Sequence, residues 1–148
     1  MAPEDDERQL TPAGVEELRA AAPLWLRLNL RPDVVISSPL PRALATAELF
    51  VEGIGLDRTP VVDRRLEPGA SWADLAQAMA QWPDARRVMF VGHEPDLSSA
   101  ACLLTGASSI RVRKGGLACV EFPGIPEAGA GELAWLLDPD LYGGGEAE

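Results

Sequence analysis

Two short apolar runs, Val34-Val35-Ile36 and Val88-Met89-Phe90-Val91, are each followed within a few residues by a helix start. No other feature constrains the fold as strongly. β-Branched residues suit a pleated, buried surface, and strands that alternate with helices point to parallel pairing between helical layers. The alternation runs through Thr105 and predicts a three-layer α/β/α sandwich around a mixed, mostly parallel sheet.

The helices carry their own punctuation. Thr11-Pro12 offers a hydroxyl N-cap followed by a proline that needs no N–H. Val15, Leu18, Ala22, Trp25 and Leu26 then follow at helical spacing. Glu16 and Glu17 are expected in that helix's first turn, and Pro23 is expected to kink or restart it. A second helix is predicted over 41–51, ended by Gly53 and Gly55, a third over 72–81 and a fourth over 97–104. Pro60 to Asp63 is read as a short strand. Past Thr105 the pattern changes: 115–122 and 131–137 read as two strands of a hairpin, joined by a Pro/Gly-rich loop over 123–130. Residues 143–148, with Gly143-Gly144-Gly145, are expected to form a frayed tail.

Composition removes several function classes. A net charge of −10 argues against nucleic acid, whose binders cluster Lys and Arg against phosphates. It favours a small confined site over a broad basic face. No apolar run approaches the roughly 20 residues needed to span a bilayer, and the polar N-terminus is no signal peptide. The two cysteines, Cys102 and Cys119, read as buried thiols in a reducing compartment, so a cytoplasmic protein is expected. With His93 as the single histidine, a His-rich zinc site is excluded.

His93 lies just past the carboxyl end of a predicted strand, where open α/β sheets gather ligand groups; otherwise it merely caps a loop. Arg42 stands in the first turn of a helix, where an anion would meet free N–H groups, a helix dipole and a guanidinium fork together. The plainer alternative is a surface arginine paired with a carboxylate. Glu94 and Asp96 read as helix-start acids, Thr46 as packing, and Glu67 as a loop carboxylate that could act as a general acid. Val112-Arg113-Lys114-Gly115-Gly116 lacks P-loop spacing and reads as a solvated turn. The four tryptophans read as core and rim.

Arg8-Gln9-Leu10-Thr11-Pro12-Ala13-Gly14, then Ser38-Pro39-Leu40-Pro41-Arg42-Ala43, then Val91-Gly92-His93-Glu94-Pro95 resembles, in order and spacing, the histidine phosphatase superfamily. Within it the chain is most similar to short bacterial phosphohistidine phosphatases of the SixA type, and Lys114 to Ala118 and Gly131 to Leu137 resemble that subgroup too. The resemblance implies a phosphoglycerate-mutase-like fold and a phosphate pocket at one end of the sheet. It implies catalytic and substrate-binding roles for Arg42 and His93, with help from the backbone N–H of Glu94. No cofactor or metal is implied, because positive side chains neutralise the developing charge. The implied partners are a phosphorylated protein, such as a phosphohistidine relay domain, or a small phosphoester.

The family's nucleophile sits on a first strand ending in Arg-His-Gly, and no histidine precedes His93. The chain is therefore expected to be one domain, 1–148, truncated at its N-terminus, with flanking strands deprived of a ladder partner. Loss of a covalent nucleophile lowers rates on the order of 10⁴ to 10⁶. Two other readings stand beside this one: a non-catalytic phosphate- or phosphoprotein-binding module, and an enzyme that uses His93 itself as nucleophile.

Overall fold

A computed structural model describes residues 8–142. The predicted tail at 143–148 and most of the segment before Thr11 lie outside the described residues. Helix α1 spans Pro12–Arg27, β1 Val34–Ser37, α2 Pro41–Ile54, β2 Val61–Val62, α3 Trp72–Met79, β3 Val88–Val91 and α4 Asp96–Thr105. Strands β4 (Leu117–Glu121) and β5 (Glu132–Leu137) follow, and short 3-10 turns occupy Arg64–Leu66 and Pro139–Leu141.

The two apolar runs lie side by side. β1 pairs in parallel with β3, from Val34 opposite Val88 to Ser37 opposite Val91, and in parallel with β2 on its other edge. Side chains on a strand alternate between faces, and the core divides accordingly. Val35, Met89 and Val91 pack with Leu18, Trp25, Ala47 and Phe50 of α1 and α2. Val34, Ile36, Val88 and Phe90 pack with Leu75 and Ala78 of α3 and Ala100 of α4. One sheet between two helical layers is the α/β/α sandwich that the alternation predicts.

The ladder is interrupted on the far side of β3. Among the described residues the parallel sheet stops there, in the order β2-β1-β3, and β4 and β5 form a separate antiparallel pair. The Val91 carbonyl faces β1, where it accepts the Ser38 N–H at 2.9 Å. Backbone groups alternate along a strand, so those of Phe90 face the open edge. The hairpin is nonetheless docked on the same body, because Leu117 and Leu137 pack against the core cluster that includes Val91.

Several local expectations shift. α1 runs through Pro23 without a restart. Pro23 and Arg19, whose carbonyl loses its donor, are both exposed, so water can take the vacant acceptor. The Thr11 hydroxyl accepts the Gly14 N–H as the expected cap, but Glu16 and Glu17 fall beyond the first turn. The buried stripe of α1 is Leu18, Ala21 and Trp25, while Leu26 is exposed. Gly53 lies inside α2, not at its end. A Cβ there would come within 3.0 Å of the Ala22 Cβ, so the missing side chain permits close packing on α1. The helix ends instead at Gly55, whose φ of 70° suits glycine. Both cysteines are free but only partly buried. Cys119 lies on β4, an edge strand, and Cys102 beside the exposed Leu103 on α4.

Candidate functional site

Parallel register determines where the site forms. Because Ser37 lies opposite Val91, the carboxyl ends of β1 and β3 emerge together, with Ser38 beside Gly92 and His93 one residue further. The Ser37 carbonyl accepts the Asp63 N–H at 2.9 Å, which also fastens the loop after β2 to this end of the sheet. The sheet therefore delivers Ser38 and His93 to one spot from positions 55 residues apart, and His93 Nε2 lies 2.8 Å from Ser38 Oγ. Both are buried, Ser38 fully and His93 to 7% exposure. His93 thus joins the loop after β3 to the loop after β1.

Arg42 occupies the second position of α2, directly after Pro41. Leu40 precedes the helix and supplies no capping side chain, so the helix N-terminus presents N–H groups toward the ends of β1 and β3. Arg42 is half-buried. Thr46, one turn on, donates its hydroxyl to the Arg42 carbonyl at 2.9 Å, which makes it part of the helix and not a ligand group.

Glu94 and Asp96 take different roles. The Ser98 hydroxyl donates to the Glu94 carboxylate, and Ser98 Oγ in turn accepts the Val112 N–H at 2.9 Å, tying the start of α4 to the segment before β4. Asp96 is a first-turn acid of α4, as expected. It also reaches across to accept the N–H groups of Gly69 and Ala70 at 2.8 and 3.1 Å. That clamp ties the loop bearing Glu67 to the segment bearing His93. Glu67 is half-buried, lies 3.8 Å from the Arg64 guanidinium, and follows the fully buried Leu66.

The basic segment before β4 finds partners of its own. Arg113 pairs with Asp138 and Asp140 at 3.1 Å, and the Tyr142 hydroxyl donates to the Gly115 carbonyl at 2.6 Å. The hydrogen bonds that Arg113 donates to the Asp140 and Asp138 carboxylates hold its pKa above the ordinary value. Arg113 and Lys114 are exposed as a solvated turn requires, but Val112 is buried. Trp25 is core and Trp82 is rim, so no stacking platform forms. Among the described residues no cluster of three or more His, Cys, Asp or Glu could hold a metal ion, and no helix is long and apolar enough to cross a membrane.

Ser38 is the site residue that sequence reasoning passed over, though it lies within the quoted Ser38-Pro39-Leu40-Pro41-Arg42 motif. A polar residue directly after a fully buried strand was the available signal, since a buried hydroxyl requires a partner.

The family model of the histidine phosphatase superfamily (branch 1) matches residues 4–96, which takes in α1 through the first residue of α4. An uncharacterized protein of Picosynechococcus sp. is 35% identical over 101 residues, 66% of this chain. The match spans only 60% of that relative's length. The structure of the protein histidine phosphatase SixA complexed with tungstate superposes with a TM-score of 0.78 at 23% identity, covering 90% of this chain and 86% of that one. A mycobacterial glucosyl-3-phosphoglycerate phosphatase complexed with VO3 gives 0.64 at 18% identity, over 90% and 91% of the two chains. At these identities the likeness is one of fold, and it covers both the parallel sheet and the hairpin.

Proposed function

Because the chain belongs to the histidine phosphatase superfamily, we propose that Arg42 and His93 form a phosphoryl-binding pocket serving phosphatase-type hydrolysis through a phosphohistidine intermediate. The contact between His93 Nε2 and Ser38 Oγ carries this reading, since it seats an imidazole at the sheet end where α2 begins with Arg42. A phosphoryl group placed there meets a guanidinium, an imidazole and backbone N–H groups, including that of Glu94, in a site partly shielded from water. Such preorganised donors stabilise the charge that develops as the phosphoryl group transfers. That both oxyanion-bound structures share this fold supports the choice of ligand.

In this reading His93 is not the nucleophile. It is the chain's one histidine, its Nε2 is engaged by Ser38, and it stands at the position of the family's second, phosphate-binding histidine. The nucleophilic histidine that such an intermediate needs is then not among these 148 residues. Glu67, on the loop that Asp96 fastens, is the proposed proton donor to the leaving group. The proposed substrate class is a phosphorylated protein in preference to a small phosphoester, in keeping with the fold shared with the protein histidine phosphatase SixA. The two free thiols suit a reducing compartment such as the cytoplasm.

Tungstate or phosphate titrated into the 148-residue protein should raise its melting temperature, and Arg42→Ala should abolish the rise. An unchanged melting temperature in the unmutated protein would remove the basis for the pocket. Turnover of p-nitrophenyl phosphate should be close to background. Robust turnover that disappears in His93→Ala would instead make His93 the nucleophile.

A further inference from the structure

Ser38 Oγ is fully buried and has two neighbours: it accepts the Leu40 N–H at 3.2 Å and lies 2.8 Å from His93 Nε2. A hydroxyl carries one proton and two lone pairs. With one lone pair turned to Leu40, the hydroxyl proton still needs an acceptor, and an unprotonated Nε2 is in reach. We propose that Ser38 is a positioning residue for His93, holding the neutral imidazole as its Nδ1–H tautomer and accepting from Nε2–H once the ring is protonated. The second lone pair makes that reversal available without moving either side chain. The consequence for function rests on the pocket reading above: the ring keeps one orientation in both charge states and needs no reordering when an anion arrives.

The neighbouring serine supplies an internal control. Ser37 is equally buried, but its hydroxyl donates instead to the Ser38 carbonyl at 2.9 Å. Removing either hydroxyl therefore perturbs the same strand end, while only one removal touches the imidazole.

Because the chain has a single histidine, the ring nitrogens of ¹⁵N-labelled protein give one unambiguous set of NMR signals. On the alkaline side of the His93 titration, Nε2 should read as unprotonated and Nδ1 as protonated. Ser38→Ala should shift the ring toward the Nε2–H form that unconstrained histidine favours, and should weaken tungstate binding on the order of tenfold. Ser37→Ala should leave the ring signals unchanged. An Nε2–H tautomer in the unmutated protein, or ring signals that ignore Ser38→Ala, would overturn the proposal. If Ser38→Ala does not fold, the tautomer of the unmutated protein still decides. An Nδ1–H ring in a protein that binds no tungstate would sink the pocket and leave the positioning role standing. Tungstate binding to a protein with an Nε2–H ring would do the reverse.

Discussion

The parallel sheet and the hairpin are held to the molecule in different ways. β1 is buried along its whole length, with helices on both faces, and its carboxyl end passes straight into Ser38. In β5, by contrast, Leu133 and Leu136 are 39% and 43% exposed, and the turn before β4 is braced by ion pairs that lie in solvent. Buried apolar area carries most folding free energy, whereas exposed ion pairs carry little. The candidate site therefore rests on the stronger half. The hairpin is the more exposed half.

The largest effect that sharpens this contrast is a truncation in the core. Phe50 is 2% exposed and packs with its ring tilted against Trp25, centroids 4.9 Å apart, so Phe50→Ala should cost about 3–5 kcal/mol in urea denaturation. Leu136→Ala on the hairpin should cost less than about 1 kcal/mol. Equal losses would erase the distinction between the two halves. Next comes Gly53→Val, which forces a side chain against Ala22 where even a Cβ is tight. It should destabilise by about 1–3 kcal/mol by parting α1 from α2, and a neutral result would show that the two helices separate freely.

A smaller effect concerns the other end of the parallel sheet. The Asp33 carboxylate accepts the N–H groups of Arg86 and Arg87 at 2.7 and 3.0 Å, tying the start of β1 to the start of β3. Those bonds, first to Arg87 and then to Arg86, hold its pKa below the ordinary value of 3.8. A depressed carboxylate contributes stability that is fully present above the unfolded value and is lost as pH falls through the folded one. Asp33→Ala should thus cost at most about 1 kcal/mol at neutral pH, less after solvent screening. The difference from the unmutated protein should vanish in acid well below pH 3.8. A difference that persists there would assign the loss to packing. Smallest of all is Arg113→Ala, whose partners are exposed. Its melting temperature should barely move, and any change should fade in high salt. A large loss would make the ion pairs, not the apolar contacts, the anchor of the hairpin.

Much of the fold is legible from local residue patterns. The Thr11-Pro12 cap, the buried strands, the Gly55 end of α2 and the antiparallel pairing of β4 with β5 all follow from neighbours within a few positions. Gly53 reads wrongly for the opposite reason. A helix-breaking residue inside α2 makes sense only once Ala22 of another helix is beside it. Pro23 is similar, since its tolerance depends on which face of α1 meets solvent.

The same division applies to the candidate site. The sequence by itself determined that Arg42 begins a helix and that His93 follows a strand, because capping, φ preference and hydrophobic runs act locally. It also determined the acidic charge and the single histidine. Only the tertiary structure decided that His93 meets Ser38, that Asp96 clamps the Glu67 loop, and that β1 lies between β2 and β3. Each of those depends on the register of strands far apart in the chain. Register is set by how both faces of the sheet bury their side chains at once, and no short stretch of sequence contains that information.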